Sequence, residues 1–294
     1  MSSEAGIDRP TTTRGARALQ NPCVRIVLAL LFIAAPFAVV AAPFNMFVSD
    51  QSLKRLGALL LAAVVLGAYS SYVHIIEKRP VAELSGPRAL PELGAGVLLG
   101  ALLFSATVGL LAALRVYQIT GGNRWAAMLA TVPGFILAGV LEEVVMRGIV
   151  FRILERSLGS WIALAISAAI FGLLHLLNPG ATLLNAGAVM LEAGVLLAAA
   201  YMVTRRLWFC IGIHIAWNFT EGGVFSAAVS GGDTNGLLQS KLTGPDWLTG
   251  GAFGAEGSLA AVAICAVAGL LLVVRAVRKG NIVQPFWSVT TSMG

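Results

Sequence analysis

Charge is what this chain has least of. Only 12% of its 294 residues are charged, against 57% hydrophobic, whereas soluble domains carry about 25% charged residues. That excludes an ordinary soluble fold. Cysteine is also scarce. Cys23, Cys210 and Cys265 all lie in apolar segments without CxxC spacing, which argues against a disulfide scaffold or a cysteine metal site and leaves packing roles. No internal repeat of roughly 20 to 50 residues is visible. The net charge of +6 does not call for nucleic acid, because basic residues in a membrane chain report topology.

What is present is apolar and long. Stretches of about twenty apolar residues fall at 23–47, 56–76, 93–114, 125–150, 161–177, 182–203, 207–229 and 256–277. The expected fold is therefore all-α, a polytopic membrane protein of about eight transmembrane helices in one domain over 23–278. The first span holds Pro36 and Pro43 and is expected to kink or end early. Residues 1–22 read as a disordered cytoplasmic tail and 279–294 as a second tail, with Phe286 and Trp287 at the interface. A secretory signal is not expected, since the apolar segment runs too long and has no evident cleavage site. With the N-terminus inside, the outer loops hold only Lys54, Arg55, Arg115, Arg124 and Lys241 of the twenty basic residues. That asymmetry places both termini in the cytoplasm of a multi-pass cell-membrane protein.

Against this background three polar groups stand out. The first is EEVVMRG (142–148), at the end of the apolar run WAAMLATVPGFILAGV; each ionised group costs roughly 3 kcal/mol or more near the bilayer centre. Glu143 and Arg147 are four apart and can pair on one helical face. Glu142 is rotated by about 100° from Glu143, so it stays available as the working carboxylate. The second is His175 in FGLLHLLNPG, with Phe171 one turn earlier. The third is His214 with Asn218 one turn later, in IGIHIAWNF. The remaining histidine, His74, sits beside Glu77, Lys78 and Arg79 and reads as interfacial.

Each group has an ordinary explanation. A Glu–Arg pair at a helix end can be a snorkelling interfacial pair, a lone histidine can join two helices by a hydrogen bond, and so can Asn218. Together, two carboxylates, two histidines and an asparagine on three helices form a hydrolytic set that can activate water and donate to an oxyanion. Alternatively, Glu142, His175 and His214 could hold zinc with an open position for water. A proton-relaying transporter and a non-catalytic scaffold or immunity protein also fit the composition.

In this order the three stretches resemble the EExxxR, FxxxH and HxxxN motifs of the CPBP intramembrane proteases, the CAAX-protease and bacteriocin-processing (Abi) group. The similarity spans about 125 to 228, and LLAAAYMVTRRLWFCIGIHIAWNFTEGG looks like bacterial members. The resemblance implies an endopeptidase with an intramembrane cavity, acting on a peptide or membrane-anchored protein in the lipid bilayer. It implies that Glu142 and His175 activate water. His214 and Asn218 would then stabilise the oxyanion or help bind a metal, with Glu143 and Arg147 in support. The family is named for metalloproteases, but a metal-free glutamate mechanism is argued for members of it, and no HExxH pair occurs here. In eukaryotes a prenylated CAAX protein is the expected substrate, while maturation of another peptide is equally compatible.

Two points strain the transfer. At ~1.5 Å per residue His175 lies roughly 20 Å deep and His214 about 10 Å, so the fifth helix must tilt, kink or start low for them to meet. Glu192, in MLEAGVLLAAAY, lies mid-span outside the motifs and reads as a hydrogen-bonded structural acid or a cavity residue. Glu221 is a weaker candidate.

Overall fold

The computed structural model describes residues 21–288. The expected N-terminal tail over 1–20 and the last six residues lie outside this range. The chain is a helical membrane protein. Its helices are α1 (Pro22–Phe47), α2 (Gln51–Ile75), α3 (Ala89–Ala113), α4 (Trp125–Glu143), α5 (Arg152–Leu174), α6 (Leu183–Val189), α7 (Leu196–Thr204), α8 (Leu207–Asn218), α9 (Asp246–Thr249) and α10 (Leu259–Arg278). Among the described residues six helices are long and apolar enough to cross a membrane.

The difference from eight expected spans has two local causes. First, the helices that carry the spans at 125–150 and 161–177 follow one another with no loop between them, so Trp125–Leu177 counts as one stretch although two helices meet at Gly159, whose backbone is not helical (φ 79°, ψ 167°). A side chain is strained at that φ. A methyl group there would also lie 2.8 Å from the Pro285 nitrogen. Second, the span at 207–229 stops being helical at Val224, and its last part, Phe219–Val224, is a π-helical turn. The proline-bearing first helix does not end early; it runs to Phe47. A proline within a membrane helix is tolerated when neighbouring groups satisfy the freed backbone.

One element escaped the all-α reading. Strands β1 (Tyr117–Gly122) and β2 (Leu238–Leu242) form an antiparallel pair, irregular between Ile119 and Gly121. They fasten the Gly-rich 230–255 segment to the α3–α4 connection. Tyr117 Oη and Ser240 Oγ both donate to the Phe225 carbonyl, at 2.9 and 2.8 Å.

The centre of the fold is α7 and α8, whose Ala198, Ala199, Ala200, Met202, Leu207, Cys210 and Ile211 are buried. α3 packs along α8 at backbone distance. A methyl on Gly96 would overlap the Phe209 carbonyl, one on Gly100 the Ile213 carbonyl, and one on Gly212 the Leu93 carbonyl. Gly96 and Gly100 have the four-residue spacing of small residues that lets membrane helices approach closely. This packing fixes Ile213 and therefore its neighbour His214. Gly100→Ala should cost about 1–3 kcal/mol by overpacking and lower cleavage with it, read as a drop in Tm in detergent beside the rate. An unchanged Tm would mean that the two helices can separate freely.

At one end of the bundle lies an ionic cluster. Glu77, just after α2, accepts from Arg25, Arg79 and Arg152, and Glu83 takes a second contact from Arg79 and Arg152. Burial alone would raise the Glu77 carboxyl, but its bonds and attraction to Arg152, Arg25 and Arg79 outweigh burial and hold it at about 2, below its ordinary 4.5. A depressed carboxyl stabilises the fold fully above its unfolded value, and the gain is lost as pH falls through the folded value. Wild type should therefore lose at most about 3 kcal/mol between pH ~4.5 and ~2. Glu77→Gln should start less stable at neutral pH and show a flatter acid limb in thermal melts. Parallel acid limbs would contradict the assignment.

Beyond α10, the stretch read as a tail packs against the bend. The Ser160 amide donates to the Val283 carbonyl and the Val283 amide to Ser160 Oγ, both at 2.9 Å. Asn281 Nδ2 donates to the carbonyls of Met202 and Val203 at 2.9 and 3.1 Å.

Candidate active site

α4 delivers Glu142 and Glu143 at its last two positions, and the chain then passes into a π-helical turn, Val144–Phe151, that carries Arg147. Such turns recur at functional sites because the extra residue per turn re-aims side chains. The Glu143–Arg147 pair forms across the junction at 2.9 Å, with the side chains 0% and 1% exposed. It is therefore a buried pair and not a snorkelling one. Arg147 also donates to the carbonyls of Ala193 and Gly194 at 2.9 and 3.2 Å, and its guanidinium lies 4.7 Å from the centre of the Phe171 ring. It thus joins α4 to α5 and to a second π turn, Met190–Val195.

Glu143 does more than neutralise Arg147. The same Oε1 lies 2.8 Å from His214 Nδ1. An ionised carboxylate only accepts, so Nδ1 carries the hydrogen and Nε2 is left to face the reaction. That nitrogen lies 3.8 Å from Glu142 Oε2. No sequence spacing announces this contact, because 71 residues separate the partners.

His175 starts a short 3-10 turn, His175–Leu177, at the end of α5. Its Nδ1 is 2.8 Å from the Phe171 carbonyl. A carbonyl cannot donate, so Nδ1 bears the hydrogen and Nε2 is an acceptor. The Phe171 ring is 4.7 Å from the His175 ring and 6.3 Å from the His214 ring. Phe171 thus packs between the two histidines. His175 and His214 line one cavity, so the difference in depth counted along straight helices does not keep them apart.

Asn218 ends α8, almost buried like His214. Glu142 is the most open of the set, with its side chain 36% exposed. It lies where two cavities meet. One, of about 930 Å³, is also lined by Asn218, Phe135, Lys54, Arg55 and Asp233; the other, of about 320 Å³, is shared with His175. Cys210 lies outside the group, its thiol turned to the Leu207 carbonyl at 3.1 Å.

The zinc alternative can be tested on this donor set. Among the described residues no three His, Cys, Asp or Glu side chains come together as a group that could hold a metal ion. His175 and His214 each have Nδ1 engaged and Nε2 free, which does not disqualify either as a ligand; what is missing is a common point at which three such side chains gather. As arranged, Glu142, His175 and His214 do not fit a zinc site, and no step is routed through one.

Glu192, Glu221 and Glu256 are also buried. Glu192 had a signal in the sequence as an acid in mid-span. The place of Glu256, in a Gly-rich connection, had none.

Residues 123–220 match the family model described as type II CAAX prenyl endopeptidase, Rce1-like. The match takes in Glu142, Glu143, Arg147, His175, His214 and Asn218, and agrees with the group to which the three motifs pointed. No curated protein and no solved structure matches the chain.

Proposed function

We propose that this chain, whose residues 123–220 match the model of the Rce1-like type II CAAX prenyl endopeptidases, hydrolyses a peptide bond of a membrane-anchored substrate with water activated by Glu142 and His175. The observation that carries this reading is the position of Glu142. Its carboxylate stands at the meeting of two cavities, 3.8 Å from His214 Nε2, and among the described residues it makes no ion pair with an arginine or lysine. A cavity of about 930 Å³ is large enough for several residues of extended peptide.

The steps follow from the donors. A water between Glu142 and His175 gives a proton to the carboxylate, while His175 Nε2 accepts its second hydrogen and orients it. The water oxygen attacks the scissile carbonyl carbon. The oxyanion that forms accepts from the Asn218 amide and from His214, which enters the cycle as an imidazolium with its Nε2 proton already taken from solvent and keeps it throughout; Glu143 balances that charge. Glu142 then passes its proton to the leaving amine as the carbon–nitrogen bond breaks. No acyl-enzyme is formed.

Both termini lie in the cytoplasm in this reading. The end that holds Arg25, Arg79 and Arg152 is the basic end. The test is cleavage of a panel of membrane-anchored peptides by purified protein in detergent, with and without prior chelation and with metal content measured on the same samples. Cleavage that survives complete metal removal is expected. Cleavage restored only by added zinc would overturn the metal-free mechanism. Substrate-linked proton flux without cleavage would favour a transporter.

A further inference from the structure

Behind the catalytic histidines is a third, smaller cavity of about 30 Å³. Its wall includes His175, His214, Asn218, Glu192, Ser230 and Glu256. A space of this size holds one water. Glu192 is 2% exposed, and its Oε2 has no hydrogen-bond partner. Its position is set by the catalytic machinery, since Arg147 grips the two carbonyls that follow it in the Met190–Val195 turn. Glu256 is engaged differently: its Oε1 accepts from the amide and hydroxyl of Ser230, at 2.6 and 2.8 Å. Behind it, Glu221 Oε1 accepts from the Glu256 amide at 3.1 Å.

We propose that Glu192 is a positioning residue of the catalytic centre, acting on His214 and Asn218 through one water bound in this cavity. This rests on the peptidase reading above. The groups facing Glu192 are Glu256, Cys265, His175 and His214 on the cavity wall, with Glu221 behind Glu256. Among the described residues none of the three carboxyls forms an ion pair with an arginine or lysine. An ionised, unpaired carboxylate in such surroundings is strongly disfavoured. Glu192 therefore carries a proton and donates to the water, which bonds in turn to the imidazole and amide beside it. That arrangement satisfies the orphaned oxygen. It also restrains the ends of α8 that must donate to the oxyanion.

The test uses the full chain in detergent, comparing wild type, Glu192→Gln, Glu192→Leu and Glu142→Gln. Glu192→Gln retains a donor and should stay folded, with kcat reduced by less than about fivefold and KM unchanged. Glu192→Leu displaces the water and should lower kcat roughly 5- to 30-fold at unchanged KM. Equal kcat for Glu192→Leu and wild type would overturn the proposal. An independent readout needs no substrate. The infrared difference between wild type and Glu192→Gln, in which the bands of Glu221 and Glu256 cancel, should show the D2O-sensitive carbonyl band of one protonated carboxyl; that band should persist with Glu142→Gln and shift with His214→Ala. If no peptide is cleaved by wild type, the peptidase reading fails, while that band still decides whether Glu192 is protonated and coupled to His214. Its absence from that difference would overturn the proposal by itself.

Discussion

Glu142→Gln should abolish cleavage and leave the protein folded. A positioned general base contributes about 10²–10⁴-fold to rate, and glutamine cannot take the proton from water. Little stability is at stake, because Glu142 is more than one-third exposed and its Oε2 has no hydrogen-bond partner; surface-like substitutions usually stay within about 0.5 kcal/mol. The variant should melt within a degree or two of wild type while turnover falls below detection. Its neighbour behaves in the opposite way. Glu143 is fully buried and holds both Arg147 and His214, so a change there disturbs the fold before it disturbs the chemistry. Turnover of Glu142→Gln at the wild-type rate would remove Glu142 from the mechanism and send the search to other carboxylates.

Arg147→Met carries the largest expected loss of stability. It strands Glu143, leaves the carbonyls of Ala193 and Gly194 without their donor and removes the cation over Phe171. Removing one partner of a buried ion pair costs about 3–5 kcal/mol, because the other charge stays buried and uncompensated. Converting both members should do less harm than converting one. Glu143→Gln combined with Arg147→Met should therefore recover part of the lost Tm, a coupling that a double-mutant cycle measures directly. Purely additive losses would show that the two side chains do not act as a pair.

How much of this was legible beforehand depended on distance along the chain. Relations within one or two helical turns were readable: Glu143 with Arg147, Phe171 under His175, and the availability of Glu142. They follow from helical spacing, and the π turn at Val144–Phe151 alters the geometry without separating the first pair. Relations between distant segments were not readable. The bond from His214 to Glu143 depends on α8 standing against α4, which the glycine contacts of α3 help to fix. The β1–β2 pair was missed because its strands are short, polar and joined across more than a hundred residues. The boundary between the spans at 125–150 and 161–177 was legible, but its sharpness was not, because nothing local gives the φ that Gly159 adopts.

The stretch from Asn281 to Pro285 deserves a practical reading. It fills the angle that opens where the chain turns at Gly159, and it supplies backbone partners to Ser160 and the Asn281 side-chain amide to the end of α7. A gene shortened just after Lys279 would still encode every motif residue and every membrane helix. Its product would nonetheless lose the wedge that holds the bend, and with it the angle at which Phe171 and His175 are presented. Motif inventory alone would score such a chain as intact, so expression designs and gene-boundary decisions should keep this segment and place affinity tags beyond it.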